Sequence, residues 1–177
     1  MKKNILIAVL SLLIITSCSN SPDKDLKTIH DLEATLKANK NGIPDAAKTK
    51  ELIDAYIKFV KDFPKDTACA GFLFEAARKS SDILKFQLAI DLLDQIMKDY
   101  PAYSKVSDCL FLKAFIYDND MKNVVKARET YEAFLKKYPT SPRTKDVTGL
   151  LNWLGKTDEQ IRAELIEKNK NDSLAKK

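Results

Sequence analysis

The chain is poor in the residues on which most catalytic and metal chemistry depends. Its 177 residues include one histidine, three cysteines and four glycines. His30 has no cysteine or paired acids beside it, so no zinc-ligand spacing can be assembled around it. The four glycines are scattered and build no phosphate-cradling loop. Carboxylates are plentiful, but those such as Asp91 and Asp94 fall on polar helix faces with lysines nearby, and no nucleophile–base pair stands out. No catalytic residue, metal site or cofactor is expected, and a hydrolase is the least favoured class. The net charge is only +5, with acids interspersed among the lysines, which gives no argument for a nucleic-acid partner. Apolar runs are short as well. Residues 5–15 form the longest, about a dozen residues against the ~20 needed to span a bilayer.

What is present is one phrase written three times, a helical run that closes on an aromatic residue and proline. It reads YIKFVKDFP at residues 56–64, LDQIMKDYP at 93–101 and YEAFLKKYP at 131–139. The prolines lie 37 and 38 residues apart (101 − 64; 139 − 101), a period that marks a helical repeat array. With the prolines superposed, Leu52, Ala89 and Ala127 share one position, and Tyr56, Leu93 and Tyr131 the next. Phe59, Ile96 and Phe134 follow, then Val60, Met97 and Leu135. These offsets fall on one helical stripe, so all three segments are expected to bury the same face. Proline cannot continue the helix, and the aromatic before it can fold back over the last turn.

Each phrase is followed by another helix, over residues 67–80 and 104–117, in which Ala77 and Ala114 match in register as sites of close packing. The expected architecture is therefore all-α: antiparallel helix-pair repeats in an α-solenoid. It comprises about two complete repeats with flanking half-repeats. Ala77 to Ala89 spans twelve residues and Ala114 to Ala127 thirteen, which puts one extra residue in the second turn, within residues 118–120. N-terminal to the array, Ile29, Leu32 and Leu36 predict a helix over 26–38, and a second helix runs over about 46–63. Beyond it, Ser141-Pro142 opens a helix carrying Val147, Leu150, Leu151, Trp153 and Leu154, and Gly155 stops it. Thr157 to Gln160 reads as a capping box, opening a last helix through Ile161, Leu165 and Ile166 that is expected to cover the open end.

At the N-terminus, Lys2 and Lys3 precede the apolar run, which ends in Ile15-Thr16-Ser17-Cys18. This resembles the lipobox of bacterial lipoproteins. The resemblance implies cleavage before Cys18, acylation of its thiol and new amine (palmitate included), and stable two-chain anchoring. The alternative is an ordinary secretory signal that happens to end in a cysteine. Ser19 after the cysteine resembles the outer-membrane sorting pattern, whereas Asp23 and Asp25 weakly match surface-export signals. The expected division is a signal peptide at 1–17, a lipid-anchored tether at 18–25, a helical domain at 26–167 and a polar tail at 168–177.

The residues of the third phrase carry a second resemblance. Ala127, Tyr131, Phe134, Leu135 and Pro139 resemble the second half of the tetratricopeptide repeat pattern. The stretch 131–141 is similar to the subfamily of the outer-membrane β-barrel assembly lipoprotein and the Tol-Pal coordinator. That subfamily implies a groove, lined by the first helix of each pair, that receives partner segments. Carried over onto this chain, the groove residues are Phe74, Arg78 and Asp82, then Asp108, Phe111, Phe115 and Asn119. Aromatics beside an arginine suit an extended peptide. The competing reading has the three phenylalanines merely packing between helices. Cys69 and Cys109 lie at similar distances after their prolines and admit either a disulfide or two buried thiols. The functional expectation is a lipid-anchored adaptor on the periplasmic face of the outer membrane, holding an envelope protein or peptide segment. A binding protein for a peptide or glycan ligand is the alternative.

Overall fold

The three phrases adopt one backbone conformation. Phe63, Tyr100 and Tyr138 have φ/ψ of −130/55°, −128/54° and −129/57°, and each donates its N–H to the carbonyl four residues back. The chain then turns with the same ladder every time. Asp66 bonds back to Phe63 and Cys69 to Asp66, and the pattern recurs as Tyr103 to Tyr100 and Val106 to Tyr103, then Ser141 to Tyr138 and Thr144 to Ser141. Proline disfavours the helical conformation in the residue before it, so one local cause yields one geometry at all three sites. The Phe63 and Tyr138 rings fold back onto Phe59 and Phe134, with centroids 5.1 and 5.6 Å apart. Tyr100 instead donates its hydroxyl to the Pro64 carbonyl at 3.1 Å, tying one unit to the next.

The computed structural model describes residues 21–38 and 45–174. Among these the chain is all helical, with α1 Pro22–Ala38, α2 Ala46–Asp62, α3 Cys69–Asp82, α4 Phe86–Asp99, α5 Val106–Phe115, α6 Val124–Lys137, α7 Thr144–Trp153 and α8 Asp158–Leu174. Helices α1 to α7 pack each on the next as an antiparallel tetratricopeptide-like array. The register read from the prolines holds: Leu52, Ala89, Ala127, Phe59, Ile96, Phe134, Tyr131 and Leu93 are all fully buried. Ala77 and Ala114 are fully buried too, where a larger side chain would push α3 or α5 off its neighbours. The tyrosines of the stripe keep their hydroxyls satisfied, Tyr56 donating to Glu33 and Tyr131 to Asp118. Asp94 accepts from Lys113 at 2.7 Å, in keeping with a solvated polar face.

The extra residue of the second unit appears as a π-turn at Ile116–Asp120. In the first unit α3 ends in a Schellman motif: Lys85 N–H bonds the Ser80 carbonyl and Leu84 N–H the Ser81 carbonyl, with Leu84 at φ 60°. In the second, Asn123 N–H reaches Tyr117 and Met121 N–H reaches Ile116, a closure one residue wider, with Lys122 at φ 52°.

Elsewhere the ends differ from the sequence reading. Helix α1 begins at Pro22 rather than at residue 26, so 22–25 are helix and not tether. Proline fits the first helical turn, Asp23 and Asp25 complement the helix dipole, and Asp25 pairs with Lys58 of α2 at 2.6 Å. Helix α1 thereby completes a pair with α2, burying Ile29 and leaving His30 at the surface. At the other end the capping box forms, with Gln160 N–H on Thr157 Oγ1 and Thr157 N–H on Gln160 Oε1. Yet α8 runs to Leu174, through part of the expected tail, and does not cover the array: Leu165 and Ile166 are 44% and 63% exposed. Its few apolar residues are spread too far around the helix to make a burying stripe. Helix α7 starts two residues after Pro142, with Ser141 Oγ accepting the Arg143 N–H. Cys69 and Cys109 are free and buried, which decides for thiols over a disulfide; the Cys69 thiol donates to the Phe63 carbonyl at 3.1 Å.

Candidate functional site

Because successive helices alternate in direction, α3, α5 and α7 run parallel and present the first helix of each unit side by side. Along α3 and α5, and the turns that lead into α5 and α7, lies an open cavity of about 340 Å³ lined by Phe74, Arg78, Lys105, Asp108, Phe111, Leu112 and Arg143. Four of the residues named from sequence are thus gathered: Phe74 and Arg78 from α3, Asp108 and Phe111 from α5. Asp82, Phe115 and Asn119 do not line it. Asp82 and Asn119 are exposed, and the π-turn takes Asn119 off the face that a regular helix would have continued. Phe115 is 38% exposed and extends the aromatic ridge, its ring 6.1 Å from that of Phe111.

Three lining residues escaped the sequence reading: Lys105, Leu112 and Arg143. Two of them were legible in the repeat frame. Lys105 and Arg143 both stand four residues after a proline (105 − 101; 143 − 139), while Phe74 and Phe111 both stand ten after one (74 − 64; 111 − 101). In the fold each cation covers the aromatic of the preceding unit. The Lys105 ammonium lies 5.4 Å from the Phe74 ring centre and the Arg143 guanidinium 4.6 Å from that of Phe111. The cavity wall therefore repeats with the array, as aromatic faces each capped by the next unit's positive charge.

The two aromatics have split duties. Phe74 is buried, and Phe111 also packs against Tyr131 and Phe134 at 6.5 and 6.4 Å, so both hold the helices together as well as forming the wall. Charges at the rim are unevenly satisfied. Arg78 pairs with Glu75 at 3.3 Å on an exposed face, and the Arg143 Nε–H donates to Asp108 at 2.5 Å. Beneath Asp108, burial pushes the Cys109 thiol up to about 12, and the Asp108 charge adds to the rise. It is a buried core thiol, held toward its neutral form. Burial likewise raises Asp118 above the ordinary carboxylate range, against the Tyr131 hydrogen bond.

Residues 108–141 match the tetratricopeptide repeat family model, a span that runs from Asp108 through α6 and the third aromatic-Pro phrase. No curated relative matches the chain. Repeats of this family typically bind protein or peptide partners, and an all-α array of this kind is typical of non-enzymatic interaction modules. Among the described residues, no helix is long and apolar enough to cross a membrane.

Proposed function

We propose that this chain is a lipid-anchored adaptor of the bacterial cell envelope, held to the outer membrane through Cys18, with a short link to α1. Its α3–α5–α7 face would hold an extended segment of an envelope partner, in the manner of outer-membrane assembly lipoproteins. The observation that carries the binding half is the cavity itself. It is lined by residues of α3 and α5 and of the turns that lead into α5 and α7, walled by cation-capped aromatics, and continued by the exposed Phe115. Aromatic and arginine side chains of this kind are the usual anchors of protein interfaces. The anchoring half rests on the motif that ends at Cys18, which lies outside the described residues.

Two experiments test the reading. Crosslinking and affinity purification from the native envelope should recover one set of partners with the wild-type chain, and lose it when Phe111 and Phe115 are both replaced by alanine. Recovery of the same partners by both proteins would sink the groove. Labelled palmitate should enter the wild-type chain and not Cys18→Ser, and gradient fractionation should place the labelled protein with the outer membrane.

A further inference from the structure

The repeat frame carries the binding reading further, to the chemistry of the segment held. In the second unit three positions act together. Arg143, four after Pro139, stacks on Phe111 and donates to Asp108, seven after Pro101 (108 − 101). The first unit repeats the cation and the ring, as Lys105 over Phe74, but not the acid: seven after Pro64 stands Gly71 (71 − 64). The Lys105 ammonium has no hydrogen-bond or carboxylate partner among the described residues; only the backbone carbonyl of Lys105 is bonded, by the Cys109 N–H. A Cβ added at Gly71 meets nothing within 4 Å, so the space an acid would fill on α3 is open. Glycine inside a helix also costs ~0.5–1 kcal/mol relative to alanine, so helix stability does not explain its presence there.

We propose that an acidic side chain of an extended partner segment completes this unit, its carboxylate sitting beside Gly71 against the Lys105 ammonium. It would take the place in the first unit that Asp108 holds in the second, with a neighbouring apolar side chain resting along Leu112 and the Phe111–Phe115 ridge. The inference rests on the groove reading above. The charge balance of the cavity favours it, since Arg78, Lys105 and Arg143 face Asp108 as the single lining acid.

The test uses the detergent-solubilised full-length protein and fluorescein-labelled Gly-Ser peptides bearing a Leu-Glu-Leu, Leu-Gln-Leu or Leu-Lys-Leu core, read by anisotropy. The Glu core should bind about tenfold tighter than the Gln core, the gain of one charge-assisted hydrogen bond in a partly exposed site, and the Lys core weakest. Lys105→Gln should erase the Glu-over-Gln preference. Gly71→Asp, which supplies the missing acid in cis, should erase it as well, whereas Gly71→Ala should keep it and serve as the folding control. A preference that persists in Lys105→Gln overturns the proposal. If Glu and Gln cores bind equally and both are lost in Phe111→Ala, the acid slot falls and the groove stands. If no core binds the folded protein, both fall.

Discussion

The contact most open to a quantitative test is the one that ties the residue before α7 to α5. Arg143 does two things there: it donates to Asp108 and lies over Phe111. The ionic part is weakened by solvent, because the two side chains are 42% and 31% exposed, and such pairs contribute ~0.2–1 kcal/mol. The stacking part, at a comparable exposure, contributes ~0.5–1 kcal/mol. Arg143→Gln should therefore lower unfolding free energy by about 1–2 kcal/mol, roughly 2–8 °C in Tm for a chain of this size. Double-mutant cycles separate the parts. Urea denaturation of Asp108→Asn, Arg143→Gln and the double variant should give a coupling of about 0.5 kcal/mol that shrinks in 1 M salt, where the Debye length falls to ~3 Å. The Phe111→Leu and Arg143→Gln cycle should give a coupling that salt changes little. Couplings below ~0.2 kcal/mol in both cycles would refute the idea that Arg143 clamps the site.

Three further outcomes follow from the fold. Leu84 sits at φ 60° while 73% exposed, so Leu84→Asn should raise stability by ~0.5–1 kcal/mol in the same urea assay; a loss would mean that the leucine is held by something the turn geometry does not show. Phe134→Ala removes a fully buried ring at the centre of the third phrase and should cost ~3–5 kcal/mol; a cost near zero would contradict its place in the core. Burial raises the Cys109 thiol from its ordinary 9.0 to about 12, and the fold favours the neutral form. That contribution is whole below pH 9.0 and is lost as pH climbs toward 12, so Cys109→Ala should flatten the alkaline fall in the urea midpoint. Parallel curves for wild type and variant over that range would refute it.

Much of the repeat scaffold was legible because its causes are local. A proline ends the helix at the residue before it wherever the two stand together, so Phe63, Tyr100 and Tyr138 share one geometry. The buried stripe follows from a period of 3.6, and even the extra residue of the second unit was readable, as a count between two alanines. What went astray was not local. A capping box opens α8 but says nothing of whether Ile161, Leu165 and Ile166 find a surface to bury against. Polar composition at residues 22–25 suggested a tether, because the Lys58 that pairs with Asp25 lies on another helix.

The candidate site divides along the same line. Phe74, Arg78, Asp108 and Phe111 were reached by carrying the groove of the resembled repeat family onto this chain's register. Lys105 and Arg143 stand in plain register, yet a position in a frame does not tell which neighbour a side chain covers. Stacking one unit on the next carries a cation across more than thirty residues of chain (105 − 74; 143 − 111) onto the preceding unit's ring. By itself, then, the sequence determined that this is a helical array, where α2, α4 and α6 end and which face they bury, since proline chemistry and helical periodicity act within a few residues. Only the tertiary structure decided which charges pair across units, as Arg143 with Asp108, and which, like the Lys105 ammonium over Phe74, have a ring but no carboxylate among the described residues, because pairing depends on distances that exist only once the helices are packed.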